Sequence, residues 1–202
     1  MAAENVNHTS NTMRQATLDI LDADLRGKYN EYKKYPYNDR YKLFRHDIRI
    51  DPYIANQKLA EIETFNLNWS EPIKYSEHPD INSIITENGV GIYVFFVQPN
   101  RLVLGMPRVP IYVGISGERE SSRPLKERLK DYFNLNQIKR RDAVHQALQM
   151  YYDEVYFCYC IYDGNSEDLS QIERLLHEFF SPKFAKRDFE PETKQAQKSW
   201  NI

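Results

Sequence analysis

The chain has 202 residues, with 27 Lys and Arg against 29 Asp and Glu and a formal net charge of −2. That length allows one full domain plus a sizeable extension, and no apolar run approaches the ~20 residues that a bilayer-spanning helix needs. The near-neutral total excludes a global basic field, so any contact with nucleic acid has to come from locally segregated charge. The opening MAAENVNHTSN has neither a basic start nor an apolar core and does not read as a secretory signal. Cys158 and Cys160 sit two apart in VYFCYCIY. Strand geometry points them the same way, neighbours on one strand rarely bridge, and a zinc site would need further ligands. Both read as reduced core residues of a cytoplasmic protein.

Residues 1–10 read as disordered. A helix is expected over 11–26, with Leu18, Leu21 and Leu25 on one face and Gly27 as its stop. Residues 28–50 form a basic, tyrosine-rich run. Bases can stack on its tyrosines while Lys33, Lys34 and Lys42 hold phosphates, or the run packs on the core with its lysines in water. Asp51-Pro52 reads as a cap and first-turn proline for a helix reaching about Phe65. Residues 66–88, with Pro72 and Pro79, read as a connector. Strands are then expected at 90–97, 101–104, 110–115 and 154–162, and helices at 124–133, 140–152 and 166–180, with Pro182 after the last. The order is that of a mixed α/β (α+β) core. It divides the chain into a helical extension (1–85), a core (86–187) and a polar tail (188–202).

Charge falls into blocks. Residues 26–49 carry eight Lys/Arg against three acids and residues 101–145 ten against five. Residues 50–90 carry two against seven, and 151–180 one against seven. A basic face for a phosphate backbone is compatible with this pattern, as is ordinary alternating surface.

Two tripeptides stand out, Gly91-Ile92-Tyr93 and Tyr112-Val113-Gly114, each inside a strand-like run. Arg128 follows in a basic helix and Glu173 in the last helix. Phosphodiester hydrolysis needs an activated water, neutralisation of transition-state charge and a metal ligand, and these four side chains offer all three. At 100° per residue, Ile172, Leu175, Leu176, Phe179 and Phe180 form the buried stripe of the last helix. Glu173 lies at its edge, while Arg174 and Glu178 point away. Arg128 borders the stripe of Leu125, Leu129, Tyr132 and Phe133, and its guanidinium suits a phosphate with two parallel hydrogen bonds. The plainer alternatives are a boundary glutamate and a solvated arginine. Tyr132 falls one turn after Arg128, facing either the cleft or the core. Lys139, Arg140 and Arg141 are candidate backbone contacts, and His177, one turn after Glu173, resembles half of a metal-ligand pair.

The order GVGIYVFF (89–96), IYVGIS (111–116), LKERLKDYF (125–133) and IERLLHEFFSPKF (172–184) resembles the GIY-YIG nuclease family over about half the chain. The resemblance implies a small antiparallel three-stranded sheet flanked by helices. It implies one Mg2+ (or Mn2+) held by Glu173, a tyrosine of the first tripeptide in water activation, Tyr112 beside it, and Arg128 on the scissile phosphate. It implies DNA as the partner, with RNA left open. Eighteen residues separate Tyr93 from Tyr112, a longer spacing that is similar to restriction-type members. Pro182 lies nine after Glu173, as in repair members, but Ala185 stands where the family's bracing asparagine is usual. The expectation is a metal-dependent endonuclease of restriction or defence type; the alternative is a nucleic-acid-binding protein on the same fold with weakened catalysis.

Overall fold

Every residue of β2 (Gly91–Val97) is buried, because β2 runs through the middle of a sheet covered on both faces. The structure is a computed structural model describing residues 2–36, 38–39, 52–98, 108–117, 123–180 and 182. Lys42, the expected strand at 101–104, Ala185 and the tail lie outside the described residues. In chain order come α1 (Ala2–Lys33), α2 (Pro52–Glu63), β1 (Ile73–Lys74), α3 (Ile81–Ile84), β2 and β3 (Val109–Ser116). Then follow α4 (Leu125–Lys130), α5 (Leu135–Ile138), α6 (Asp142–Tyr151), β4 (Val155–Ile161) and α7 (Ser166–Phe180). Single 3-10 turns at Asp131–Phe133 and Tyr152–Glu154 close α4 and α6.

The sheet is antiparallel throughout, in the order β1-β4-β2-β3. It therefore has four strands, not the three expected. The extra strand is the pair Ile73–Lys74, lying against Phe157 and Tyr156, and two residues are too few to leave a period-2 signature. Backbone alternation sorts β2 cleanly. Tyr93, Phe95 and Val97 join Leu125, Leu129, Tyr132, Val144 and Leu148 on one face. Ile92, Val94 and Phe96 meet Val113, Ile115, Leu169, Ile172, Leu175 and Leu176 on the other. The continuous apolar run GIYVFFV is what a strand buried on both sides requires.

The segment before residue 86 is built into both layers. Leu18, Leu21, Leu25 and Tyr29 of α1 belong to the first apolar cluster, and Ile62 of α2 to the second. The first helix is longer than its sequence suggests: it begins at Ala2 and passes through Gly27 to Lys33. Tyr29 extends the buried stripe one turn past Leu25 and so beyond the glycine, so packing outweighs the ~1 kcal/mol that a mid-helix glycine costs. Its end is pinned by polar contacts. Arg26 donates to Asp22 and to Asp153 (3.2 Å), and the Tyr29 hydroxyl donates to Glu154 (2.6 Å). Lys33, expected as a phosphate contact, lies 3.8 Å from Asp153 and 3.9 Å from the Tyr29 ring centroid. In the part of the tyrosine-rich run that is described, the packing role is therefore the one seen. Among the described residues no helix is long and apolar enough to cross a membrane.

A Cβ built on Gly27 meets nothing within 4 Å. Gly27→Ala is therefore expected to stabilise the fold by about 0.5–1 kcal/mol, chiefly by restricting the unfolded chain. A thermal melt checks this; a lowered midpoint would show that α1 does not run unbroken through residue 27.

Candidate active site at the edge strand

The site begins with a steric constraint. Tyr93 of β2 lies opposite Gly114 of β3, and its ring crosses the space where a side chain at 114 would stand. A Cβ at Gly114 would sit 2.5 Å from the Tyr93 hydroxyl and 2.6 Å from Cζ. The glycine of the second tripeptide is thus the seat of the tyrosine of the first. Gly91 has a parallel reason: a Cβ there would run into the Cys160 carbonyl of β4.

Three phenol rings then gather on one face. The Tyr93 and Tyr132 hydroxyls share a hydrogen bond of 2.7 Å, and Arg128 Nε donates to the Tyr93 hydroxyl at 3.3 Å. Ring centroids lie 5.4 Å apart for Tyr93–Tyr132, 6.2 Å for Tyr93–Tyr112 and 6.1 Å for Tyr112–Tyr132. The strand pairing skips Ile111 at a bulge opposite Phe95 and Phe96. The extra residue breaks the alternation, so Ile111 and Tyr112 both pack against the same cluster. The three phenols differ in access. Tyr93 and Tyr132 have no exposed surface, whereas Tyr112 is only half-buried. The water-facing phenol of the group is therefore Tyr112, and Tyr93 acts through Arg128 and Tyr132.

Electrostatics follow from burial. Desolvation, with Tyr112 nearby, lifts the Tyr93 phenol well above its ordinary range. Burial and the neighbouring phenols do the same for Tyr132, so both stay protonated at neutral pH. Arg128 is half-buried, which alone would weaken its charge, but the oxygens of Tyr93 and Tyr132 more than offset that and hold it cationic. Most other well-placed arginines have carboxylate partners: Arg26 pairs with Asp22, Arg123 with Asp131, and Arg141 with Asp131. Among the described residues Arg128 has none; phenols orient it, leaving its charge for a ligand.

The basic triplet after the site divides. Lys139 lies 3.3 Å from Asp24. Arg141 donates to Asp131 at 3.0 Å and lies over the Tyr132 ring at 4.8 Å. Arg140 and, at the end of α1, Lys34 are exposed. Arg141 thus braces the back of Tyr132, while Lys139 and Arg140 are both open to solvent.

Glu173 sits on α7, which packs over β3 on the face opposite α4. The helices carrying Arg128 and Glu173 therefore lie on opposite faces of the sheet, and Tyr112 packs with the layer of Arg128. Glu173 is only 4% exposed. The sequence placed Glu178 away from the core, but it is 7% exposed and its carboxylate lies 3.0 Å from Lys58 Nζ. The reason is α2, which covers that flank of α7. Helical phase puts Glu173 about 140° round α7 from Glu178. Its neighbour one turn on is His177, with Nε2 3.8 Å from Oε1. Among the described residues no group of three or more His, Cys, Asp or Glu forms a metal cage. A carboxylate is a ligand type that suits a hard divalent ion, but Glu173 is buried on the sheet layer opposite the one that holds Arg128.

Comparison with protein-family models, with curated proteins and with solved structures returned no match.

The Tyr93–Gly114 contact makes a direct prediction. Gly114→Ala forces the Tyr93 ring out of its seat and is expected to cost about 1–3 kcal/mol, as overpacking of a filled core does. Denaturant unfolding measures it; an unchanged midpoint would show that the ring does not rest on residue 114.

Proposed function

We propose that this protein is a divalent-metal-dependent endonuclease of the GIY-YIG type that hydrolyses DNA phosphodiester bonds, of restriction or defence kind. The observation that carries the reading is Arg128: a half-buried, permanently charged guanidinium held by a tyrosine hydroxyl, with no carboxylate partner among the described residues. Such a group is a preorganised seat for an oxyanion. The resemblance of the two tripeptides, and of the segments around Arg128 and Glu173, gives the seat its chemistry.

Each residue then has a task. Arg128 binds the scissile phosphate and neutralises charge that grows on its oxygens. Tyr93 and Tyr132 stay protonated and fix the guanidinium. Tyr112, half-buried where Tyr93 and Tyr132 are fully enclosed, would orient the attacking water. Glu173 would hold Mg2+ or Mn2+, which when bound supplies a Lewis acid for the phosphate and makes water more acidic. The net-basic block at 101–145, with Arg140 exposed, is suited to the flanking backbone.

The test is cleavage of supercoiled plasmid with and without Mg2+. Wild type is expected to nick or linearise it only with the ion, and Glu173→Gln to abolish cutting with the fold intact. Arg128→Lys keeps the charge but loses the fork, and a lost phosphate-stabilising donor is worth ~3 kcal/mol, or about a hundredfold in rate. Wild-type rates in either variant would remove that residue from the site.

A pH profile separates the phenols. The Tyr93 phenol is raised above its usual value near 10. It therefore remains protonated throughout pH 7–10 and contributes no ionisation in that window. Tyr93→Phe is expected to lower the whole rate profile while leaving its shape unchanged. A limb of the wild-type profile that disappears in Tyr93→Phe would mean that Tyr93 itself is the base.

A further inference from the structure

The two acidic blocks of the sequence come together at the outer edge of β4. After α2 ends at Glu63, Asn66 turns the chain with a left-handed φ of 49°, and the following residues run along that edge. Ser70 N–H donates to the Tyr159 carbonyl at 2.8 Å, and its hydroxyl accepts from the Tyr159 N–H at 3.1 Å. Beside this segment lies a cavity of about 590 Å³, within the size range of small-molecule sites. Every lining residue falls in 65–70, 84–87 or 159–164. All therefore belong to the blocks 50–90 and 151–180, which carry two basic residues against seven acidic and one against seven. In the sheet order, β4 and β2 both separate this edge from β3.

The lining has two characters. Phe65, Trp69, Tyr159 and Tyr162 supply aromatic rings, and Glu87 and Asp163 supply carboxylates. Among the described residues no Lys, Arg or His lines the cavity, and neither carboxylate has an ion-pair partner. The rings are held in place. Tyr159 donates to the Ile84 carbonyl at 2.7 Å, Tyr162 donates to Asp168 at 3.0 Å, and the Phe65 and Tyr162 rings meet edge to face. A Cβ on Gly164 would run into the Tyr162 ring, so the turn there is shaped to the ring. Such a lining repels anions, and a purely apolar ligand would strip water from two carboxylates without return. Positive charge on a hydrocarbon frame answers both characters. Ring faces attract the cation, carboxylates accept from its N–H groups, and the surrounding acidic field favours its approach.

We propose that this cavity binds a small organic cation of the alkylammonium class. A free polyamine and the lysine side chain of another protein both carry that group.

Binding is measured on the full chain at low ionic strength by calorimetry. The titrants are spermidine, Nα-acetyl-lysine methylamide and the uncharged 1,8-octanediol. The indole N–H resonance of Trp69 is the local reporter, and Trp69→Leu identifies it against that of Trp200. Spermidine is expected to bind and to shift the Trp69 resonance, and octanediol to do neither. Tighter binding of spermidine assigns a free amine as the ligand, tighter binding of the lysine compound a side chain, and binding of neither overturns the proposal. Glu87 and Asp163 are exposed, so Glu87→Gln with Asp163→Asn leaves the core untouched; it is expected to weaken binding about tenfold. Trp69→Leu is expected to weaken it about threefold with both carboxylates in place. An unmoved Trp69 resonance, equal affinity for octanediol, or wild-type affinity in the double charge variant overturns the proposal. Wild-type affinity in Trp69→Leu would show attraction to charge without a ring and overturns it as well.

Discussion

The contact on which the site depends is a ring over a missing side chain. Tyr93 can lie across β3 only because residue 114 has no Cβ. From that seat its hydroxyl reaches Tyr132 in one direction and Arg128 in the other. Remove the vacancy and the ring moves, the phenol pair separates, and the guanidinium loses its one side-chain hydrogen bond. Two tripeptides that look in sequence like separate signatures are one steric unit across neighbouring strands.

This unit explains why the polar site is embedded in the main apolar cluster. Tyr93 and Tyr132 bury their rings with Phe95, Leu125 and Leu129, so the hydrogen-bonded ends are positioned by packing. Desolvation keeps both phenols protonated. The orientation of Arg128 thus comes from neutral groups that leave its positive charge uncompensated.

Much of this was legible in the chain. The uninterrupted apolar run of β2 announced a strand covered on both faces, and the helix start at Pro52 and the helix at 166–180 fell where they were expected. Helical phase put Glu173 at the border of the apolar stripe, whereas in the structure it is buried. What could not be read depended on distant partners. The two residues of β1 are strand only because β4 lies beside them. Gly27 sits inside a helix because Tyr29 and Arg26 find partners on the far side of the domain. Glu178 seemed solvated until α2 supplied Lys58, and no local pattern announces which helix will cover which flank. Tyr132 was divided between core and cleft in sequence; it is a fully buried ring whose hydroxyl still belongs to the site.

The Lys58–Glu178 pair has a mechanical meaning. A helix turns as a rigid rod, so whatever fixes the azimuth of one side chain fixes that of every other along it. Lys58 grips α7 on one flank at Glu178, and Glu173 rides on the other, a little more than one turn away. Lys58 thus sets the bearing of α7 from the side of α2, and through the rigid helix it sets the bearing of Glu173 as well. Segment 52–63 acts as a set-screw for the bearing of α7, and sequence change there is felt as rotation rather than as loss of a contact.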